Sequence, residues 1–438
     1  MLHLSAKLAL VVVFSSLSLA RAQTPEQSTS VSAQEVPSTL AGEWFGVRTR
    51  LRNAGVNLTG NYTGEVATNA LGGQKHDVTE TGQFSLGATI DTSKLFRLKG
   101  GLIQFTATDR RGDDLNTLAQ LNVIQDVQEV YGRGRVWRLT EFWYQQQLPL
   151  KLDIKLGRTT QGTDFARFSC DFQNLSLCGS QAGSIAGDYW YNYPVSVAGA
   201  RLRLHHEKWY AMAGAYSSNP HNLDEDFAFV HSGTTGVLAP LEFGWTPKIG
   251  SDRLPGRYRI GGWYDSSQAD DVLLGKDHQP TAITGLPPLR RDGRYGGYLM
   301  FEQQLFGTYR EDPLRGPQVT RGVNLFLNIT QTDRYTEKTD NEISVGLFYT
   351  GPFHARPMDD LAFAISRTNI NSRAALNQVL AKPGSEKPIA EYETELYYSL
   401  HMTKWLIFRP NVQYVADPSG LKSSPNVFVF GVKSLLSF

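Results

Sequence analysis

The sequence predicts an all-β chain, a transmembrane antiparallel β-barrel of about 16 strands behind a short helix. Three features predict it. From Val56 onward, apolar residues recur at every second position, the period of a strand whose two faces meet different surroundings. The gaps between these segments alternate between long and short, as they do where loops crowd one end of a barrel and tight turns the other. The last segment, Asn426 to Phe438, sets Phe428, Phe430, Val432, Leu436 and Phe438 on one side and Lys433 and Ser437 on the other. Such a strand is an open edge unless another closes onto it, and a bilayer tolerates no open edge. The plainer alternative, a last strand in a soluble sandwich, gives no reason for gaps of alternating length.

Residues 1–22 read as a signal peptide. Lys7 supplies the positive region, Leu8 to Phe14 the apolar run and Ala20-Arg21-Ala22 the cleavage site. The apolar run is too short to span a membrane as a helix. Residues 23–55 form a polar leader and a short helix, Leu40 to Ala54, which ends at Gly55 and places Trp44, Val47 and Leu51 together. They are too few for the plug that fills the largest barrels. The barrel domain occupies 56–438. Its strands are expected at 56–66, 82–90, 101–110, 138–147, 151–158, 196–204, 209–216, 241–248, 257–264, 294–303, 321–331, 342–350, 360–367, 390–400, 405–415 and 427–438. Long gaps fall at 111–137, 159–195, 217–240, 265–293 and 368–389. Short ones fall at Leu148-Pro149-Leu150, His205 to Lys208 and His401 to Lys404. The gap at 304–320 breaks the rule, being long where a short one is due.

Composition narrows the function. A hydrophobic content of 41% and a mean hydropathy of −0.31 exclude a helical membrane protein but not a barrel, whose strands are apolar on one face only. Cleavage removes Lys7 and Arg21 from a chain of formal charge +1, so no nucleic-acid partner is indicated. Export allows Cys170 and Cys178 to pair as a disulfide. No histidine or third cysteine lies near them, so no metal is expected, and no cofactor either. Two rival readings stand beside the barrel channel. A barrel enzyme needs a clustered nucleophile and base, and the nine histidines form no such constellation. A secreted sugar-binding or sugar-cleaving sandwich would have to use Asp113-Asp114 or Asp270-Asp271, but adjacent aspartates in a strand point oppositely.

The face opposite the apolar one carries Asn, Thr, Gln, Ser, Arg and Glu in rows, donors and acceptors that a water-filled lumen presents to a polar solute. Arg110 is in register with Gln104, Thr106 and Thr108 and is expected in the lumen, as a donor fork for a solute or as a pin for an inward loop. Glu141 alternates with Phe142 and Tyr144. Glu391, Glu393 and Glu395 share a face, and Arg201, Arg203, Arg257, Arg259 and Arg409 complete the expected lumen lining. Mixed signs suit a neutral polar solute, and an arginine bias would still admit an anionic one.

Residues 127–199 carry a resemblance. Val127-Gln128-Glu129-Val130-Tyr131-Gly132-Arg133-Gly134, Trp137-Arg138-Leu139-Thr140, Lys155-Leu156-Gly157-Arg158, Asp164-Phe165-Ala166, Phe168 to Leu175 and Gly187 to Ser196 resemble the bacterial carbohydrate-selective porins, the OprB family. Weaker echoes run from Trp44-Phe45-Gly46 and Arg48-Thr49 to Phe438. The resemblance implies a sixteen-stranded porin in outer-membrane lipid, with a homotrimer among its possible assemblies, that passes glucose and related sugars. It implies that the loop holding Cys170 and Cys178 folds inward and narrows the pore. It adds Arg48 and Trp190 as constriction candidates, Trp190 to stack on a pyranose face. Tyr193 departs from the family's usual Trp, and Gln181 to Ala186 also differ.

Overall fold

The computed structural model describes residues 39–133, 135–223, 227, 232–312 and 316–438. The signal peptide and the leader up to residue 38 lie outside the described residues. The helix forms later than the pattern predicts. Trp44 and Phe45 take left-handed backbone angles, φ 48° and 54°, so only a single turn precedes the helix proper, α1 (Val47–Asn53). Gly55 ends it at φ 99°, a conformation that strains any residue with a Cβ.

The strands are β1 (Val56–Leu71), β2 (Val78–Asp91), β3 (Gly101–Gly112), β4 (Trp137–Leu148), β5 (Leu152–Thr159), β6 (Val197–His205), β7 (Trp209–Ser218) and β8 (Gly236–Trp245). They continue as β9 (Leu254–Gly275), β10 (Pro288–Asp312), β11 (Gly316–Gln331), β12 (Thr339–Thr350), β13 (Asp360–Ile370), β14 (Ala390–His401), β15 (Leu406–Ala416) and β16 (Val427–Ser437). A two-residue ribbon, Lys248–Ile249, pairs with the start of β9. Each strand pairs antiparallel with the next, and β16 pairs with β1 from Asn61–Ser437 to Leu71–Phe428, giving a closed sixteen-stranded barrel. The Phe438 N–H donates to the Gly60 carbonyl at 2.8 Å, so the last residue completes the ring.

β13 shows what the alternation means. Leu361, Phe363 and Ile365 face out and are exposed, whereas Ala362, Ala364, Ser366 and Thr368 face in and are buried. The exposed apolar row is a lipid-facing surface. The inner row is buried because chain packs against it from within. The apolar clusters of the molecule therefore lie inside the wall. One gathers Phe165, Tyr189, Trp190, Tyr216, Trp263 and Tyr298. Another joins Leu115 and Val127 to Val415, Val427 and Val429, and a third joins Phe172 and Leu177 to Phe326 and Tyr397.

The irregular gap at 304–320 disappears. β10 runs to Asp312 and β11 starts at Gly316, with pairs such as Tyr309–Val319 and Arg310–Gln318. The expected loop 265–293 is likewise largely strand, paired through Gln268–Asp292 and Asp270–Arg290. Charged runs such as Arg290-Arg291-Asp292 and Arg310-Glu311-Asp312 interrupt the apolar period there.

Candidate functional site

Two long loops fold into the barrel. The first, residues 113–136, follows β3; the second, 160–196, follows β5. Both are held by carboxylates of the wall that accept backbone N–H groups. Glu391 accepts from Ile124 at 2.8 Å and from Gln125 at 3.1 Å in the first loop, and from Ser419 at 2.8 Å in another. Glu395 accepts from Gln173 at 2.9 Å and Asn174 at 2.8 Å in the second. Glu65 accepts from Val130 at 3.2 Å. Charge-assisted bonds of this kind are about twice as strong as neutral ones.

The two loops meet at Lys433. Its ammonium, 1% exposed, lies 2.7 Å from Glu129 of the first loop and 3.4 Å from Glu65. It also donates to the Phe172 carbonyl at 2.9 Å and the Cys170 carbonyl at 3.1 Å, both in the second loop. Cys170 is bridged to Cys178. Tyr193, the departure from the family pattern, contacts Ser85 at 2.9 Å and Thr108 at 2.7 Å through its hydroxyl, hanging the end of the second loop on β2 and β3.

Opposite this acidic wall, side chains of β4 to β9 line a cleft inside the barrel. A bulge at Thr140, between the pairs Ala107–Leu139 and Thr106–Glu141, turns Glu141, Trp143 and Gln145 toward it. Lys155, Arg201, Arg203, Arg259 and the loop residue Arg167 supply positive charge. Glu141, Asp164 and Glu242 supply less negative charge, so the cleft is net basic. Its charges are fixed. Lys155 pairs with Asp164 at 2.5 Å and lies 5.2 Å from the Trp143 ring centre. Asp153 holds Arg203 at 3.0 Å and also pairs with Arg201 and His205. Glu242 accepts from the Tyr210 hydroxyl at 2.7 Å and the Tyr298 hydroxyl at 2.6 Å. Burial opposes the charge on Asp164, but Lys155 and Arg201 outweigh it and hold the carboxyl below its usual range.

The residues singled out from sequence divide into three groups. Glu141, Arg201 and Arg203 face the cleft. Arg110 and Arg409 face inward beneath the loops. Arg110 donates to Gln83 at 2.8 Å and to the Glu129 and Tyr131 carbonyls at 3.5 and 3.4 Å. Arg409 donates to the Asp171 carbonyl at 2.8 Å. The third group needs correction. Glu391, Glu393 and Glu395 point inward as their shared face requires, yet they are fully buried and present nothing to the open lumen. Trp190 is fully buried against Trp263, ring centres 5.1 Å apart, so no solute can stack on it. Arg48 lies outside the cleft. It donates to the Leu58 and Phe438 carbonyls at 2.8 Å each and to Thr39 at 2.7 Å, fastening α1 to the barrel seam.

Trp143, Lys155 and Glu242 were not singled out from sequence. Lys155 stands in the Lys155-Leu156-Gly157-Arg158 run, but the bulge that fixes where Trp143 points leaves no mark in the sequence.

The Asp126 carboxyl of the first loop should make the docking pH-dependent. Burial, with Asp114 beside it, pushes the Asp126 carboxyl up to about 7. A carboxyl raised above its unfolded value favours the docked loop while protonated, and that contribution fades as pH rises from roughly 4 to 7. Channel noise from loop motion should therefore grow across that range and flatten in Asp126→Asn. A wild-type trace unchanged from pH 5 to 8 would count against this role.

The family model of the carbohydrate-selective porins, OprB family, matches residues 75–438. Porin B of Pseudomonas aeruginosa is 40% identical over 415 residues, 90% of each chain. The high-pH structure of Pseudomonas putida OprB superposes with a TM-score of 0.86 at 36% identity, covering 92% of this chain and 98% of that one. The low-pH structure of the same protein gives 0.59. A closed sixteen-stranded barrel, two loops folded into its lumen and these matches together place the chain in the OprB family of carbohydrate-selective porins, channels of the Gram-negative outer membrane.

Proposed function

We propose that glucose and related hexoses, with their acid derivatives, diffuse along the open basic cleft and touch Glu141, Trp143, Lys155, Arg201 and Arg203 on the way. The observation that carries this reading is the company Trp143 keeps. Its indole borders the cleft beside an ammonium and donates to Glu141 at 3.3 Å, so an apolar face sits among fixed donors and acceptors. A pyranose has the matching form, with C–H faces and a hydroxyl rim. The excess of cations supports passage of sugar acids as well. No covalent step is involved, and binding is weak enough for release. In this reading Arg110, Arg409 and the disulfide of Cys170 and Cys178 shape the passage by holding loops, and Glu391, Glu393 and Glu395 back them. The assembly proposed with it is a homotrimer, supported by the family likeness alone.

Current block by added glucose in planar bilayers tests the reading. Trp143→Ala should weaken the block roughly twofold to twelvefold, the range of an aromatic contact of about 0.5–1.5 kcal/mol. Glu141→Gln should favour gluconate over glucose. If both variants were blocked like the wild type by both solutes, the cleft would not be the contact path.

A further inference from the structure

We propose that the short-turn rim beside α1 binds anionic phospholipid of the inner leaflet. Long loops face the cell exterior in such barrels, so the tight turns face the periplasmic side, where the leaflet is phospholipid. Three segments of that rim combine exposed apolar side chains with cations. The β2–β3 turn presents Lys94-Leu95-Phe96-Arg97-Leu98-Lys99, six consecutive exposed residues, with Phe96 63% exposed. The turn before α1 presents Leu40, Trp44 and Phe45, the last wholly exposed, followed by Arg50. The β4–β5 turn presents Leu150, 84% exposed, and Lys151.

Hydrogen bonds join the three into one surface. The Asp91 N–H donates to the Gly55 carbonyl at 2.7 Å, and Lys94 reaches the Arg52 carbonyl at 3.4 Å. The Gln147 N–H donates to the Gly100 carbonyl at 2.8 Å, and Gln146 donates to the Lys99 carbonyl at 2.9 Å. The nearby acids are engaged. Glu43 is paired with Arg52 at 2.8 Å, and Asp91 accepts from the Ser93 N–H at 2.9 Å. The exposed cations Arg50, Lys94, Arg97, Lys99 and Lys151 outnumber Glu43 and Asp91, so the surface is positive where it is greasy.

Two features select the occupant. The patch continues the lipid-facing belt of β2, β3 and β4, where Leu86, Phe105 and Phe142 are exposed. Its charge complements a phosphodiester headgroup that carries no compensating amine. A surface of interleaved aromatic, aliphatic and cationic residues is the form that sits at a charged membrane interface, each cation near it contributing about 1 kcal/mol. The inference rests on the barrel and its orientation and does not depend on which solute passes.

The full chain with Phe96→Cys, labelled there with a fluorophore, is placed in nanodiscs containing brominated phosphatidylglycerol or brominated phosphatidylcholine at equal mole fraction. Phosphatidylglycerol should quench the label more strongly, by roughly fivefold in relative occupancy for one engaged cation. Adding Lys94→Gln, Arg97→Gln and Lys99→Gln should bring the two lipids to parity, while heat-modifiable mobility shows the barrel intact. Equal quenching by the two lipids in the parent protein, or a preference that survives the three substitutions, overturns the proposal. Sugar-induced current block of the same variants in planar bilayers stays as in the wild type, which separates this test from that of the cleft.

Discussion

Lys433→Met should widen the channel while leaving the barrel closed. The side chain is almost wholly buried and satisfies four acceptors at once, Glu65 and Glu129 by charge and the Cys170 and Phe172 carbonyls by hydrogen bonds. Methionine fills similar volume but strands two carboxylates facing each other in a space water enters poorly. Removing one partner from a buried ion pair costs about 3–5 kcal/mol. The wall strands cannot relieve that strain, since β16 is paired on both sides. The loops can, because they reach the site through backbone and carboxylate contacts that reverse independently. Single-channel conductance should rise, glucose block should weaken, and heat-modifiable mobility should persist. Lys433→Met combined with Glu65→Gln should recover part of the native conductance. A Lys433→Met channel of native conductance and native block would refute the idea that this ammonium joins the two loops.

A comparable effect is expected from Glu395→Gln, through a different bond type. The carboxylate accepts the Gln173 and Asn174 N–H groups and is fully buried. An amide of the same shape loses the charge and sets its own N–H₂ against one of those donors. Each charge-assisted bond contributes roughly 1.5–3 kcal/mol, so two of them decide whether the second loop stays docked. Added protease should cleave that loop faster in the variant, with cut sites between Ala166 and Cys178. Glu395→Asp, which keeps the charge but shortens the reach, should give an intermediate rate. If Gln and Asp variants resisted cleavage equally well, the docking would lie elsewhere, in the aromatic contacts of Phe172 with Tyr397 and Phe348.

The strands were legible because each one carries its own evidence. The lipid face and the inner face differ in chemistry, and a period of two records the difference without reference to any other strand. That is why Glu391, Glu393 and Glu395 could be assigned to one inward face. What covers them could not be read, because the groups they bind are peptide N–H donors, which every residue type offers alike. Lys433 shows the same limit. Its side of the last strand was plain, but its partners lie hundreds of positions earlier and share no local pattern with it. Trp190 misled for a related reason. A tryptophan in a loop suits sugar stacking and loop packing equally, and only the positions of Trp263 and Tyr298 decide between them. β9 and β10 run well past their expected ends through charged runs, Arg290 to Asp292 and Arg310 to Asp312 among them, where the period carries little contrast.

The seam between β1 and β16 bears on how the protein is made. The first strand to emerge finds its second neighbour only when the last strand has been released, and no earlier strand can take that place without shifting the register. Assembly therefore depends on contacts of the greatest sequence separation the chain offers, whose loop-closure entropy must be met before they give anything back. Until then every unpaired ribbon is a template for aggregation. The protein must cross the periplasm held open and solvated, and commit to its shape only where lipid and the final residues arrive together.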